Sequence, residues 1–319
     1  MQFHFNESME ILRKTKPYLL LRLGIYSLIG FLSAVYLGVV VLIGKIFGGG
    51  GALFFLVGLG LLVLLLRLLK QYVLYLVNAG HIAVITELIE KGTLPENVSQ
   101  FQYGKTIVTN LFKEVSVLFV IDRMVDGIIR AFNKTVTEVT DFLPIPGIDG
   151  LAKIVNAIIN FSLTFVDETI LSYNLARNEE NIWESAKRGI ILYAQNWKPI
   201  LTTAAASAVV NFVGFILLFL IMLAPFAPLA MMTHNETLKF FWLALAFTLA
   251  YGLKLSFFNP FFQVSIILTF RSATAGQSPN ADWEARLEMA SDKFRELQDK
   301  ASTFMHSKSA QFANSPVVQ

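Results

Sequence analysis

Two adjacent carboxylates, Asp167 and Glu168, are the side chains of this sequence best suited to chemistry. They follow Asn160 in a run whose polar residues recur at spacings of three, four or seven, which places them on one face of a helix. Neighbouring carboxylates resist ionising together, so such a pair shares a proton or attracts a cation. We predict cation coordination or proton coupling here, against the simpler alternative of an acidic face turned to water.

A second charged stripe lies upstream, where Asp122, Asp126 and Arg130 are four residues apart in a mainly apolar segment. Asp126 and Arg130 have the i,i+4 spacing of a helical ion pair. Charged groups in apolar surroundings are costly and often functional, so this stripe is a candidate gate or ion site. The alternative is an interfacial helix that turns its charges to water.

Polar side chains also interrupt two apolar runs nearer the C-terminus. The first run carries Asn196, Thr203, Ser207 and Asn211, and the second carries Lys254 and Asn259. The first four share a helical face, which either lines a solute path or packs against another helix through small polar side chains. Lys254 either pairs with an acid such as Asp167 or Glu168 or marks the end of its span.

The sequence lacks the residues and motifs that several classes of reaction require. It contains no Cys, which removes disulfides and thiolate-ligated metal sites. Its four His are far apart, and the sequence has no phosphate-binding loop, zinc-protease motif or nucleophile elbow. We therefore expect no metal, no cofactor and no enzymatic activity.

The composition is that of a helical membrane protein. Of the residues, 55% are hydrophobic and only 15% are charged, whereas soluble domains are about one quarter charged. The predicted fold is all-α, with about four spanning helices in two hairpins, near residues 18–46, 52–78, 198–223 and 238–270. The net charge of +3 is too small to indicate nucleic acid as a partner.

We divide the chain into four segments by composition. A transmembrane hairpin with an amphipathic extension covers 1–92, and helices with charged stripes, at or in the membrane interface, cover 93–180. The second hairpin covers 181–275. A cytoplasmic amphipathic helix and a disordered tail cover 276–319. In the central segment, the two prolines of 143–147 predict a helix break.

Placement of Lys and Arg predicts the topology. Basic clusters flank the spans on one side, whereas the turn at 224–237 contains no Lys or Arg. The positive-inside rule then places both termini in the cytoplasm, and we expect a prokaryotic inner membrane. The apolar seam of 280–303 either binds a cytoplasmic protein or covers this chain's own surface. A homo-oligomer is also expected, because four spans make a narrow bundle.

One family shows a comparable order of motifs. Ser185-Ala186-Lys187, a short apolar step and Asn196 precede a span, a polar turn, a second span and a charged tail. This order resembles the C-terminal half of the choline transporter-like family, over roughly residues 60–300. Gln195 stands where the family has Arg, and the family's N-terminal spans, extracellular domain and cysteines have no counterpart here. The resemblance implies transport of an organic cation such as choline.

Two functions fit these patterns. The first is a transporter or channel for a small polar or cationic solute, whose path is lined by the polar stripes. The second is a scaffold, bilayer-shaping or assembly protein that uses interfacial amphipathic helices. A closed polar cavity around the acidic stripes would favour transport, and stripes open to the cytoplasm would favour the scaffold.

Overall fold

The computed structural model describes residues 4–46, 48–111, 115–139 and 165–313. Within these ranges every regular element is helical, which confirms the all-α prediction. The α-helices are α1 (Phe5–Lys14), α2 (Lys16–Ile46), α3 (Gly51–Leu69), α4 (Tyr75–Lys91), α5 (Gln100–Leu111), α6 (Val115–Val139), α7 (Val166–Arg177), α8 (Ile182–Gln195), α9 (Trp197–Met232), α10 (Glu236–Leu253), α11 (Asn259–Thr274), α12 (Ala281–Ala290) and α13 (Asp292–Ala313). Two π turns, Lys70–Leu74 and Lys254–Phe258, join α3 to α4 and α10 to α11.

The chain forms two compact units. The hairpin unit contains Leu12–His81 and Val209–Phe261. The charged-helix unit contains Met1–Ile11, Ile82–Ala208 and Phe262–Gln319. Our four sequence segments follow chain order, whereas these units follow packing, so each unit draws on both halves of the chain.

Within the described residues, four stretches are long and apolar enough to cross a bilayer: Lys16–Ile46, Gly51–Leu69, Trp197–Met232 and Leu238–Thr274. Most of their leucines and valines face outward, including Leu53 and Leu61. Outward apolar side chains on long helices are what a lipid environment requires. The protein is therefore an integral membrane protein, and the four predicted spans match the four candidate spans among the described residues.

The third span is longer than predicted. We expected it to end near residue 223, with a turn at Pro225 and Pro228, but α9 continues to Met232 and the break covers only residues 233–235. Proline costs a helical hydrogen bond. In apolar surroundings the other backbone groups have no water to bond, so the helix is retained around the proline.

Asn259 and Pro260 do not break the fourth span. The turn Lys254–Phe258 precedes α11, and Pro260 is the second residue of that helix. A proline in the first turn is tolerated because its missing N–H has no partner to lose there. The fourth span therefore stays helical from Leu238 to Thr274.

Close helix contacts in the hairpin unit depend on glycine. A Cβ on Gly51 would lie 2.5 Å from the carbonyl oxygen of Gly44, so α2 and α3 approach backbone to backbone. Nearer the N-terminus of α2, a Cβ on Gly30 would lie 3.1 Å from Cβ of Thr248 on α10. Small residues permit such approaches between membrane helices.

The charged-helix unit has an apolar core of its own. In α6 the buried residues include Ile121, Ile128 and Phe132, and this helix packs against α7, α8, α12 and α13. The ring of Phe132 lies edge-on to Tyr193 of α8 and to Trp283 of α12, with centroids 6.3 and 6.0 Å apart. The face of α6 that carries Ile121, Ile128 and Phe132 is therefore covered by protein.

The C-terminal seam is also buried. Leu287, Phe294 and Leu297 are fully shielded from solvent. Asn181 caps the start of α8, because its side chain accepts a hydrogen bond from the Glu184 backbone N–H. The same side chain donates to the carbonyl of Ala301 in α13. Of the two sequence interpretations of the seam, covering the chain's own surface agrees with this packing.

We predict that Gly51→Ala destabilises the protein by roughly 1–3 kcal/mol, because its methyl group would overlap the Gly44 carbonyl, a backbone atom that cannot rotate away. The matched control is Gly60→Ala on the same helix, where an added Cβ meets nothing within 4 Å. Alanine there should be neutral or slightly stabilising. Thermal unfolding in detergent checks both variants, and equal unfolding temperatures would contradict the proposed contact.

Candidate functional site

Asp167 and Glu168 occupy the first turn of α7. Oε1 of Glu168 accepts a hydrogen bond of 2.7 Å from Nε2 of Gln263 on α11. Oδ1 of Asp167 is shielded from solvent and has no hydrogen-bond partner among the described residues. One carboxylate of the pair is thus held by a neutral amide, while its neighbour keeps an unsatisfied oxygen in the protein interior.

The acids of α6 act electrostatically on this pair. Burial, followed by the negative charges of Glu168 and Asp122, raises the pKa of Asp167 well above its ordinary value, and Asp126 adds to the rise. The backbone N–H of Glu168 opposes these effects only in part. The two acidic stripes recognised in the sequence therefore belong to one cluster, in which ionisation of Asp167 is strongly disfavoured.

The predicted ion pair within α6 is confirmed. Nε of Arg130 lies 2.8 Å from Oδ1 of Asp126, and both side chains are partly exposed. An exposed i,i+4 pair contributes only a few tenths of a kcal/mol. The α6 stripe is half-buried and reaches solvent through this pair, whereas Oδ1 of Asp167 is enclosed.

The polar residues that the sequence placed on one face near α9 have separate partners and belong to different units. Asn196 ends α8 and pairs with the Gln277 side chain, with Nδ2 2.8 Å from Oε1. Thr203 and Ser207 are buried in the charged-helix unit. In the hairpin unit, Nδ2 of Asn211 donates to Oδ1 of Asn259 at 3.0 Å. Asn160, the remaining predicted site residue, lies outside the described residues.

Lys254 lies in the second π turn and contacts aromatic rings of its own unit. Its Nζ is 5.4 Å from the ring centre of Tyr251 and 5.7 Å from that of Phe215. Aromatic faces stabilise a cation in partly apolar surroundings. These contacts give Lys254 a structural role near the Asn211–Asn259 hydrogen bond, in the same unit.

A second polar cluster, in the hairpin unit, was missed by our sequence reasoning. Arg22 of α2 is almost completely buried. Its Nη1 donates to Oδ1 of Asn78 at 2.8 Å and lies 3.4 Å from Nδ1 of His81, and its Nη2 donates to the Leu255 carbonyl at 3.1 Å. Leu255 belongs to the π turn, so an irregular helix segment supplies one acceptor. The available signal was an arginine just inside an apolar run.

The partners of Arg22 are neutral. Burial, and then the charge of Arg22, lowers the pKa of His81 well below its ordinary value, so this imidazole is uncharged at pH 7. Because a guanidinium only donates, Nδ1 of His81 must accept and its proton resides on Nε2. The ring of Tyr18 stacks on His81 at 4.9 Å. Within the described residues, the buried cation has no ion pair.

The described residues contain no group of three His, Asp or Glu side chains arranged to hold a metal ion. Comparison of the chain with protein-family models, curated proteins and solved structures found no match. The resemblance to the choline transporter-like family therefore stays a prediction.

The raised pKa of Asp167 predicts a pH effect on stability. The folded chain binds this proton more tightly than the unfolded chain, so the folded state loses stability as pH rises above the ordinary Asp pKa, about 4, toward the raised value. Asp167→Asn removes this loss. We expect Asp167→Asn to unfold at a higher temperature than wild type at pH 8, with a difference that disappears toward pH 4.

Asp282→Asn, on the exposed surface of α12, is the matched control and should track wild type at every pH. If Asp167→Asn were less stable than wild type at pH 8, the ionised Asp167 carboxylate would stabilise the folded state, and the prediction would be wrong.

The Arg22 cluster predicts a coupled pair of substitutions. Asn78→Leu removes the shortest hydrogen bond of a buried cation, which should cost about 1–3 kcal/mol. Adding Arg22→Met removes the cation itself and should recover part of that loss. The exposed Asn110→Leu on α5 is the control. Thermal unfolding of wild type, Asn78→Leu, Arg22→Met and the double variant measures the coupling, and strictly additive effects would contradict it.

Proposed function

We propose that this chain is an integral membrane transporter or channel for a small polar or cationic solute, and that the acidic cluster of α6 and α7 binds the coupling proton or the cation. The observation that carries the proposal is the Asp167 carboxyl group, whose Oδ1 is shielded from solvent without a hydrogen-bond partner among the described residues, and whose ionisation is opposed by the negative charges of Glu168, Asp122 and Asp126. A purely structural core would gain stability by replacing it. Costly intramembrane or membrane-edge acids commonly serve translocation.

A proton suits this cluster better than a metal ion. The described carboxylates do not converge as metal ligands, whereas crowding and burial both favour protonation of Asp167. A carboxyl group whose pKa is raised by neighbouring acids changes protonation when a cation approaches, because the cation stabilises its ionised form. Cation entry and proton release are thereby linked at one residue.

The hydrogen bond from Gln263 to Glu168 supplies the mechanical connection. Gln263 is buried and belongs to the Leu238–Thr274 span. Its amide donates at 2.7 Å to Glu168, the acid whose negative charge contributes to the raised pKa of Asp167. A hydrogen bond to an ionised acceptor is stronger than one to a neutral acceptor. A change of protonation in the cluster therefore changes the strength of the hydrogen bond between Glu168 and the spanning helix that carries Gln263.

The orientation, substrate and assembly belong to the same proposal. In this proposal the membrane is a prokaryotic inner membrane and both termini lie in the cytoplasm, an orientation that the basic clusters support. The family resemblance makes choline-like cations the first substrates to test, and an acidic site suits a cationic solute. Assembly into a homo-oligomer would widen a four-helix bundle.

The scaffold alternative has less support from packing. An interfacial helix needs an unpartnered apolar face, but α6 buries Ile121, Ile128 and Phe132 within the charged-helix unit. The C-terminal seam is likewise buried within the chain. A partner recruited by this protein would need another surface.

Solute uptake into proteoliposomes tests the transporter directly. Wild type would be compared with an Asp167→Asn, Glu168→Gln variant, using choline-like cations, inorganic ions and small anions, with and without a pH gradient. We expect saturable uptake of a cation by wild type, at least tenfold slower in the variant, because the coupling carboxylates are gone.

Asp282→Asn, Glu288→Gln removes two exposed acids of the same unit and should leave uptake unchanged. Absence of uptake by wild type for every solute, together with tubulated or clustered liposomes, would overturn the transporter in favour of the scaffold.

A further inference from the structure

A half-open pocket lies within the charged-helix unit. Its volume is about 630 Å³, and its walls come from α7, α8 and the loop after α11. Tyr173 and Arg177 line one side, Arg188 lines another, and loop residues 276–279 complete it. Two of the lining residues are arginines, and none of the described residues that line it is an acid.

Both arginines are oriented by acids outside the lining. Glu179 accepts from Nε of Arg177 at 3.1 Å and from Nη1 of Arg188 at 3.4 Å. Nε of Arg188 also donates to Glu184 at 3.1 Å, a carboxylate that Lys187 contacts as well. Among the described residues, neither Nη atom of Arg177 donates a hydrogen bond, and Nη2 of Arg188 donates none either. The guanidinium groups are thus fixed and still have donors to offer.

The loop that closes the pocket is held in place. Nε2 of Gln195 donates to the Ser278 carbonyl at 3.2 Å, and its Oε1 accepts from the backbone N–H of Asn280 at 2.7 Å. The side chains of Asn196 and Gln277 exchange two further hydrogen bonds. A pocket with an ordered wall loses less entropy when a ligand binds. Gln195 and Asn196, singled out in the sequence, therefore organise this loop.

The pocket lies beside the ends of two candidate membrane spans. Thr274, the last residue of the fourth candidate span, lines it, and so does Leu192, five residues before the third span begins at Trp197. Phosphate groups of lipids are the abundant anions at this depth, and basic pockets beside spanning helices bind lipid head groups. Arginine grips phosphate through two parallel N–H donors.

We propose that this pocket binds a phosphate group through Arg177 and Arg188. A lipid head group is the source that its position favours, and inorganic phosphate from the aqueous phase is the other source of the same chemistry. Both side chains are accessible, with 50% and 38% of their surfaces exposed. Site and ligand are independent of the transport proposal, because no residue of the acidic cluster lines the pocket.

Ligand-induced shifts of the unfolding temperature test the site. Full-length protein in a zwitterionic detergent would be titrated with phosphatidic acid, with diacylglycerol of the same acyl chains, and with sodium phosphate. We expect phosphatidic acid to stabilise wild type and diacylglycerol to have little effect. In the Arg177→Gln, Arg188→Gln variant the apparent affinity for phosphatidic acid should fall at least about tenfold, because a charge-assisted hydrogen bond accounts for roughly that factor.

The matched control is Arg286→Gln, Lys293→Gln, which removes two basic groups of the same unit that do not line the pocket and should bind as wild type does. Equal stabilisation by sodium phosphate and phosphatidic acid would assign the pocket to soluble phosphate. Equal stabilisation by the two lipids, or an unchanged affinity of the double glutamine variant, overturns the proposal. If that variant does not fold, the single glutamine variants decide, and two unchanged affinities overturn it.

Discussion

The free-energy cost of burying a polar group without a hydrogen-bond partner is the main constraint on this structure. In apolar surroundings an unpaired amide or guanidinium is several kcal/mol less stable than in water. Asn211 and Asn259 meet this cost by pairing with each other across two helices. Arg22 meets it with an amide, an imidazole and a backbone carbonyl released by a π turn. Asn211, Asn259 and Arg22 thus each favour the neighbouring helix that carries their hydrogen-bond partner.

The same cost explains why the spans stay helical. Backbone groups of a membrane helix can only bond within the helix or to nearby protein. Pro225 and Pro228 would disrupt a helix in a soluble protein, yet here they lie inside α9. Irregularity is concentrated in two π turns instead, and one of them supplies the acceptor for Arg22.

How much was predictable depended on distance along the chain. The spans, the Asp126–Arg130 pair and the Asn181 cap could be predicted, because each depends on composition or on residues within one helical turn. The Arg22–Asn78 and Glu168–Gln263 bonds join residues 56 and 95 positions apart, and no periodicity in one sequence encodes such a meeting. Asn196 shows the converse error, because its spacing from Thr203 placed it on a shared face although a helix boundary separates them.

Asp167 and Arg22 handle buried charge in opposite ways. Arginine stays ionised in proteins, so its neighbours must be fixed acceptors, and the Arg22 cluster is accordingly static. A carboxyl group can discharge by taking a proton, so the Asp167 cluster needs no fixed counter-charge and can exist in two charge states. Since Gln263 bonds to the acid beside Asp167, a spanning helix is attached to the cluster that can switch. This difference, rather than the number of charges, makes α7 the better candidate for the working site and Arg22 a rigid structural element.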